Sequence, residues 1–257
     1  MRLFAVMMVG FANLSGLARA ALAREPGDPI RLVWTEGDVA GMSTIWDPAG
    51  REPVGFVEYH QIRRGDRLVS LRTARFRDGS SDEDSAEARL DDNTLEAVSG
   101  RSIIRDASGV PIVDLTIDVQ NQRVVASWGR GEDRRTSDER VALPKGTYWG
   151  PLIFIVLKNF DANAENGRLA FHTVAPTPKP IALDMEVVRG DTRTLERTNI
   201  RIEAQAYRLT PTIHWLVDPV VRMIAPAATF WLLPGEPPAL ARFAGPRNYG
   251  RQEIVIQ

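Results

Sequence analysis

Three histidines, His60, His172 and His214, are the only imidazoles in the chain, and no two stand three or four residues apart. A zinc site on one helical face needs His-x-x-x-His or His-Glu-x-x-His spacing, so no metal is expected. The acidic run Asp78, Asp82, Glu83 and Asp84 offers the hard carboxylate oxygens that calcium prefers. It lacks the ligand pattern and the distal Glu of an EF-hand loop, and reads as a solvated turn. No Gly-x-Ser-x-Gly elbow and no Gly-x-x-x-x-Gly-Lys phosphate loop occurs, and there is no cysteine to act as nucleophile, thiolate ligand or disulfide partner. No catalytic residue and no cofactor is assigned, and the protein is expected not to be an enzyme. A carboxylate pair hidden among 33 acids would leave no local signature.

Arg-Gly-Asp occurs twice, at Arg64-Gly65-Asp66 and Arg189-Gly190-Asp191. Both copies lie between strand-like segments, where Gly supplies positive φ and Asp bonds the turn backbone, so hairpin geometry accounts for them. The large aromatic residues carry more information. Trp149, Phe154, Trp215 and Trp231 are the candidates to line an apolar ligand cavity, because such ligands need concave apolar surface more than specific donors. The same rings could fill a solid core.

Chain-wide features set the context for these residues. After Met1 and Arg2, residues 3–17 are apolar except for Asn13, Ser15 and two glycines, which is the pattern of an export signal. Small-x-small sites follow at Ala18-Arg19-Ala20 and Ala21-Leu22-Ala23, and the charged run beginning at Arg24 favours cleavage after Ala23. The apolar run is too short for a spanning helix and is broken by Arg19. A second apolar run, residues 152–157, is closed by Lys158 and Asn159 and is also too short. Charge is nearly balanced, 32 Lys plus Arg against 33 Asp plus Glu, so nucleic acid is not an expected partner.

Residues 24–53 are rich in Pro, Gly and Asp and read as a tail that adds one edge strand at residues 30–34. From residue 54 onward, β-branched and aromatic residues recur in short runs separated by turns, as in antiparallel sheet. Strand pairs are predicted at 54–62 with 68–76, at 99–105 with 112–119, and at 112–119 with 123–128, and a further strand at 86–90. Residues 149–160 are apolar nearly all round and suit a helix buried against a sheet, with Thr147 as its N-cap. Strands resume across Asn166-Gly167, a hairpin signal, and again at 182–188, 201–207 and 231–233. Residues 213–224 repeat apolar positions at i, i+3 and i+4, which predicts a second helix.

The order of these pieces resembles a group of exported bacterial β-rich proteins of unknown function, distantly similar to the LolA and LolB lipoprotein carriers. The resemblance rests on the hairpin leading to Arg75-Phe76-Arg77-Asp78-Gly79-Ser80, on Leu143-Pro144 with Gly146, and on Pro237-Pro238-Ala239-Leu240-Ala241-Arg242-Phe243 running to Gly245-Pro246. It implies a periplasmic location and an apolar hollow between sheet and helices. The resulting expectation is a mainly β fold, a curved antiparallel sheet forming a half-open barrel wrapped around two helices. Its divisions are a signal at 1–23, a tail at 24–53 and one domain at 54–257. The expected role is to bind or carry a hydrophobic ligand such as a lipid or acyl chain. The alternative is a structural or assembly factor of the cell envelope that works through protein contacts.

Overall fold

The structure, a computed structural model, describes residues 25–34, 36–175, 180–197, 200–212, 227–247 and 253–257. The signal segment and the expected helix at 213–224, Trp215 included, lie outside the described residues. The fold is mainly β, one large curved antiparallel sheet that does not close, with two short helices.

The first half of the chain is a meander of β2 (Val39–Trp46), β3 (Pro53–Arg64), β4 (Arg67–Phe76), β5 (Ser81–Asp91), β6 (Thr94–Arg105), β7 (Pro111–Asp118), β8 (Arg123–Trp128) and β9 (Arg135–Arg140). The two-residue β1 (Ile30–Arg31) pairs with β6. Next come helices α1 (Leu152–Lys158) and α2 (Phe160–Asn163). A second meander follows: β10 (Arg168–Ala175), β11 (Ile181–Arg197), β12 (Ile200–Pro211), β13 (Ala228–Leu233), β14 (Ala239–Pro246) and β15 (Glu253–Ile256). The spatial order is β10 to β15, then β2 to β9, so the last strand joins the early β2 through the pairs Val255 with Trp46 and Ile256 with Ile45.

Local chemistry explains much of this. Gly65, with φ of 63°, turns β3 into β4, and Asp92 and Asn93 take positive φ in the tight turn between β5 and β6. Along β5 the inward positions Asp82, Asp84, Ala86 and Ala88 are buried and alternate with more exposed neighbours. The inner faces of β4 to β8 and β10 to β13 contribute Leu68, Ala88, Leu115, Val124, Phe171, Val187 and Phe230 to one core, and α1 lies inside it. A smaller core of Ile45, Val57, Ala74, Phe76, Ile254 and Ile256 sits where β15 meets β2.

Three expectations change. The stretch read as a tail supplies β1 and β2, and β2 is internal to the sheet, with β15 on one side and β3 on the other. The first helix starts later than predicted: Gly150 takes φ of 49°, which a right-handed helix cannot accommodate, and Pro151 with φ of −67° opens the first turn. The Thr147 hydroxyl bonds the Pro144 carbonyl instead of capping that helix. The strand β9 was not predicted, because its sequence Arg-Thr-Ser-Asp-Glu-Arg contains no hydrophobic residue.

The segment before α1 packs tightly on the sheet at Gly100 of β6, where an added Cβ would stand 2.2 Å from the Trp149 indole nitrogen. Trp149 is buried, so it cannot swing away. Gly100→Ala is expected to destabilise the fold by about 1–3 kcal/mol through overpacking, read as a lower urea midpoint with an unchanged denaturant slope.

Candidate functional site

Where α1 ends, a run of amides and one ammonium catches the segment that follows β1. The Asn159 side chain accepts hydrogen bonds from the backbone N–H of Val33 (2.8 Å) and Trp34 (3.3 Å), and its own amide donates to the Ile155 carbonyl at 2.9 Å. Asn163 accepts from the Arg31 N–H at 2.6 Å and donates to the Arg31 carbonyl at 2.8 Å. Upstream, the Ile30 N–H donates to the Tyr148 hydroxyl at 2.9 Å, and that hydroxyl donates to the Leu95 carbonyl at 2.7 Å. Residues 30–34 are therefore fastened as a strap across the junction of the two helices. Lys158 completes the anchorage by pairing with Glu36 at 3.2 Å, and the Glu36 side chain is only 3% exposed.

Beside this strap opens a cleft of about 370 Å³. The strap supplies Val33 and Trp34, and the helix junction supplies Lys158, Asn159 and Asp161. Arg189 of β11, Gln205 and Tyr207 of β12, and Leu232 and Leu233 of β13 form the sheet side, and Pro234, Glu236 and Pro238 form a rim. Arg189 sits at a bulge, where the register with β12 slips between Arg189 and Thr192. Bulges re-aim side chains in this way. Its guanidinium pairs with Asp161 and lies 5.4 Å from the centroid of the Phe160 ring. The second Arg-Gly-Asp is thus part of a continuous strand and not a hairpin turn; the first copy does form the β3–β4 turn.

A second polar feature runs along the inner sheet face. Arg72 of β4 pairs with Asp84 of β5, whose other oxygen accepts from the Ser102 hydroxyl at 2.6 Å. Arg247 bonds both oxygens of Asp82 at 3.1 and 3.0 Å and covers the Phe76 ring. The acidic run read as a solvated turn is therefore a strand: the Asp82 and Asp84 side chains are 2% and 5% exposed and face arginines. Nearby, the Gln61 amide donates to Glu36 at 2.8 Å and its carbonyl accepts from the Tyr59 hydroxyl at 2.7 Å. Burial, reinforced by the Glu36 charge, pushes the Tyr59 phenol up to about 12, although the Ser70 hydroxyl pulls the other way. Burial also raises the Tyr207 phenol.

The three described aromatic candidates, Trp149, Phe154 and Trp231, do not converge. Trp149 is packed into the core, its indole N–H donating to the Ser85 carbonyl at 3.3 Å. Phe154 is partly buried, its ring edge-on to Tyr59 and Phe230 at 6.1 and 5.9 Å. Trp231 lies on the opposite face of β13 from Phe230 and Leu232, with Arg242 over its ring at 5.2 Å. Trp215 is outside the described residues. Around α1, Trp149, Leu152, Ile155 and Val156 are buried in the core to which both halves of the sheet contribute. Sequence reading missed Glu36, Asn159, Arg189 and Gln205, which come together only in the fold; the one local signal was Lys158 at the end of an apolar helix.

Among the described residues no cluster of three or more His, Asp or Glu stands where a metal could be held. No described helix is long and apolar enough to cross a membrane. No family model matches the chain, and no curated protein matches it. Among solved structures it is similar to the crystal structure of a β-barrel-like protein of a domain of unknown function, DUF1849, from Brucella abortus. That protein is 9% identical, with a TM-score of 0.48 over 89% of this chain and 96% of the other.

The Tyr59 phenol gives a pH test. Its folded value of about 12 lies above the ordinary 10.0. The stability it contributes is therefore complete below pH 10 and is lost as pH rises through about 12. In an absorbance titration, Tyr59→Phe should remove one phenolate that appears only near pH 12.

Proposed function

We propose that this protein is a non-enzymatic binding module of the bacterial cell envelope that holds a small amphipathic molecule in the cleft beside the helix junction. The observation that carries this reading is the cleft itself. Its volume lies within the roughly 300–1,000 Å³ usual for small-molecule sites. It joins an apolar wall of Trp34, Leu233 and Pro238 to a polar floor of Lys158, Asn159 and Gln205. An apolar wall provides most of the burial, and a few fixed polar groups set orientation. The hydrophobic-ligand role implied by the family resemblance is kept, but its seat moves from the centre of the molecule to the end of α1. Export, inferred from residues 1–23, and a periplasmic destination, inferred from the family resemblance, complete the proposal.

An assembly factor docking through its strand edges has less support. The edge strand β9 is made of charged and hydroxyl side chains, which discourage strand addition. The free side of β10 is partly covered by the segment before α1: the Tyr148 N–H donates to the His172 carbonyl at 2.8 Å, and the His172 N–H to the Gly146 carbonyl at 3.2 Å.

Ala162 is half-buried on α2 and faces the cleft. Ala162→Trp should fill the space and abolish binding of a short amphiphile while leaving the thermal midpoint within a few degrees. Native mass spectrometry of purified protein with added hexanol-class amphiphiles reads the result. Binding that survives in the Trp variant, or that never occurs in the parent protein, would sink the reading.

A further inference from the structure

The charges around the cleft specify more about the ligand than its size does. Of the two cations at its wall, Lys158 is already committed: Glu36 beneath it is 3% exposed, and separating a pair so deeply placed would leave a buried carboxylate without compensation. Arg189 is different. Its partner Asp161 is 73% exposed and Arg189 itself 43% exposed, and a pair so open to water contributes little and exchanges readily. Asp161 is not the only contact of the guanidinium, which also donates to the Tyr207 hydroxyl. Arg189 lies at the bulge, and its guanidinium stands over the Phe160 ring, which is itself edge-on to Tyr207 at 4.9 Å. An arginine fixed in this way presents a planar fork suited to a carboxylate or phosphate.

Opening that pair to admit an anion leaves Asp161 without a counter-charge. Glu236, exposed on the turn between β13 and β14, adds a second carboxylate to the same space. A singly charged ligand of either sign satisfies one side of this arrangement and repels the other. A ligand bearing both signs satisfies both.

We propose that the cleft takes a ligand with a zwitterionic head, its anionic group on Arg189 and its ammonium against Asp161 and Glu236, with the apolar part lying along Trp34 and Leu233. This inference rests on the cleft being the ligand seat. The shared chemistry, an ammonium and an oxyanion a few bonds apart, occurs in phospholipid headgroups and in amino acids with apolar side chains.

Isothermal titration of the full chain with four probes that share a hexyl chain separates the possibilities: hexylphosphocholine, hexyl phosphate, hexyltrimethylammonium and hexanol. Leucine serves as the amino-acid arm. The expected result is that hexylphosphocholine or leucine binds at least ten-fold more tightly than hexanol, and which of the two does so tells lipid head from amino acid. Arg189→Gln should weaken the zwitterion and hexyl phosphate ten-fold or more and leave hexyltrimethylammonium unchanged or tighter. Asp161→Asn and Glu236→Gln should do the reverse, weakening the zwitterion while tightening hexyl phosphate. This crossing of signs would not arise from damage to the fold, which weakens all probes together. If hexanol binds and Ala162→Trp removes it, but zwitterions bind no better than hexanol, the inference is wrong and the cleft reading survives. If no probe binds, both fall.

Discussion

Helix α1 has no polar face before Lys158, so every side of it has to meet apolar surface, and that requirement governs the curvature around it. A helix apolar all round is stable only when enclosed. Trp149, just before it, meets Gly100 of β6; Phe154 within it meets Tyr59 of β3 and Phe230 of β13; Phe160, just after it, meets Tyr207 of β12. Those contacts reach both meanders, so neither half of the sheet alone would cover the helix. The sheet bends until both do, and the strap and cleft take their places at the one end of α1 where polar groups begin.

Within that envelope the inner sheet face is not uniformly apolar. Asp82 and Asp84, held by Arg247 and Arg72, form a polar band close to the smaller core at the β15–β2 joint. Buried ion pairs offset much of their attraction with lost hydration, so their gain in stability is small. Their effect on register is stronger. A one-residue slip of β5 would carry both carboxylates to the outer face and strand Arg72 and Arg247 inside, so the band penalises alternative pairings of β4 and β5.

The parts of this arrangement that are local in sequence were legible there. The hairpin about Gly65 and the alternation in β7 each carry a pattern within a few residues, and the structure matches them; at Asn166 and Gly167 it places the turn, closed by a bridge of Glu165 with Arg168, but α2 and not a strand precedes it. Segments whose identity depends on distant partners were not. Val39–Trp46 contains Gly41 and hydroxyl side chains and becomes a central strand only because β3 and β15 flank it. Asp82 and Asp84 looked like a turn because their arginines lie elsewhere in the chain. The cleft follows the same rule: Glu36, Asn159, Arg189 and Gln205 share no spacing that a one-dimensional pattern could hold. Ring size likewise reports burial but not which side of a strand a residue occupies, and Trp231 lies on the face of β13 opposite Phe230 and Leu232.

The joint between β15 and β2 has a kinetic side. Ile45 and Ile256 pair across almost the whole chain, so the entropy of closing that loop must be met before the contact returns anything. Each meander can zip up from hairpins between neighbours, but their union waits for the two ends to find each other. Until then β2 and β15 each have a bare edge carrying Ile and Val side chains, the kind of surface that invites pairing with another molecule. The speed with which β2 captures β15 then decides how much of the chain reaches the joined state.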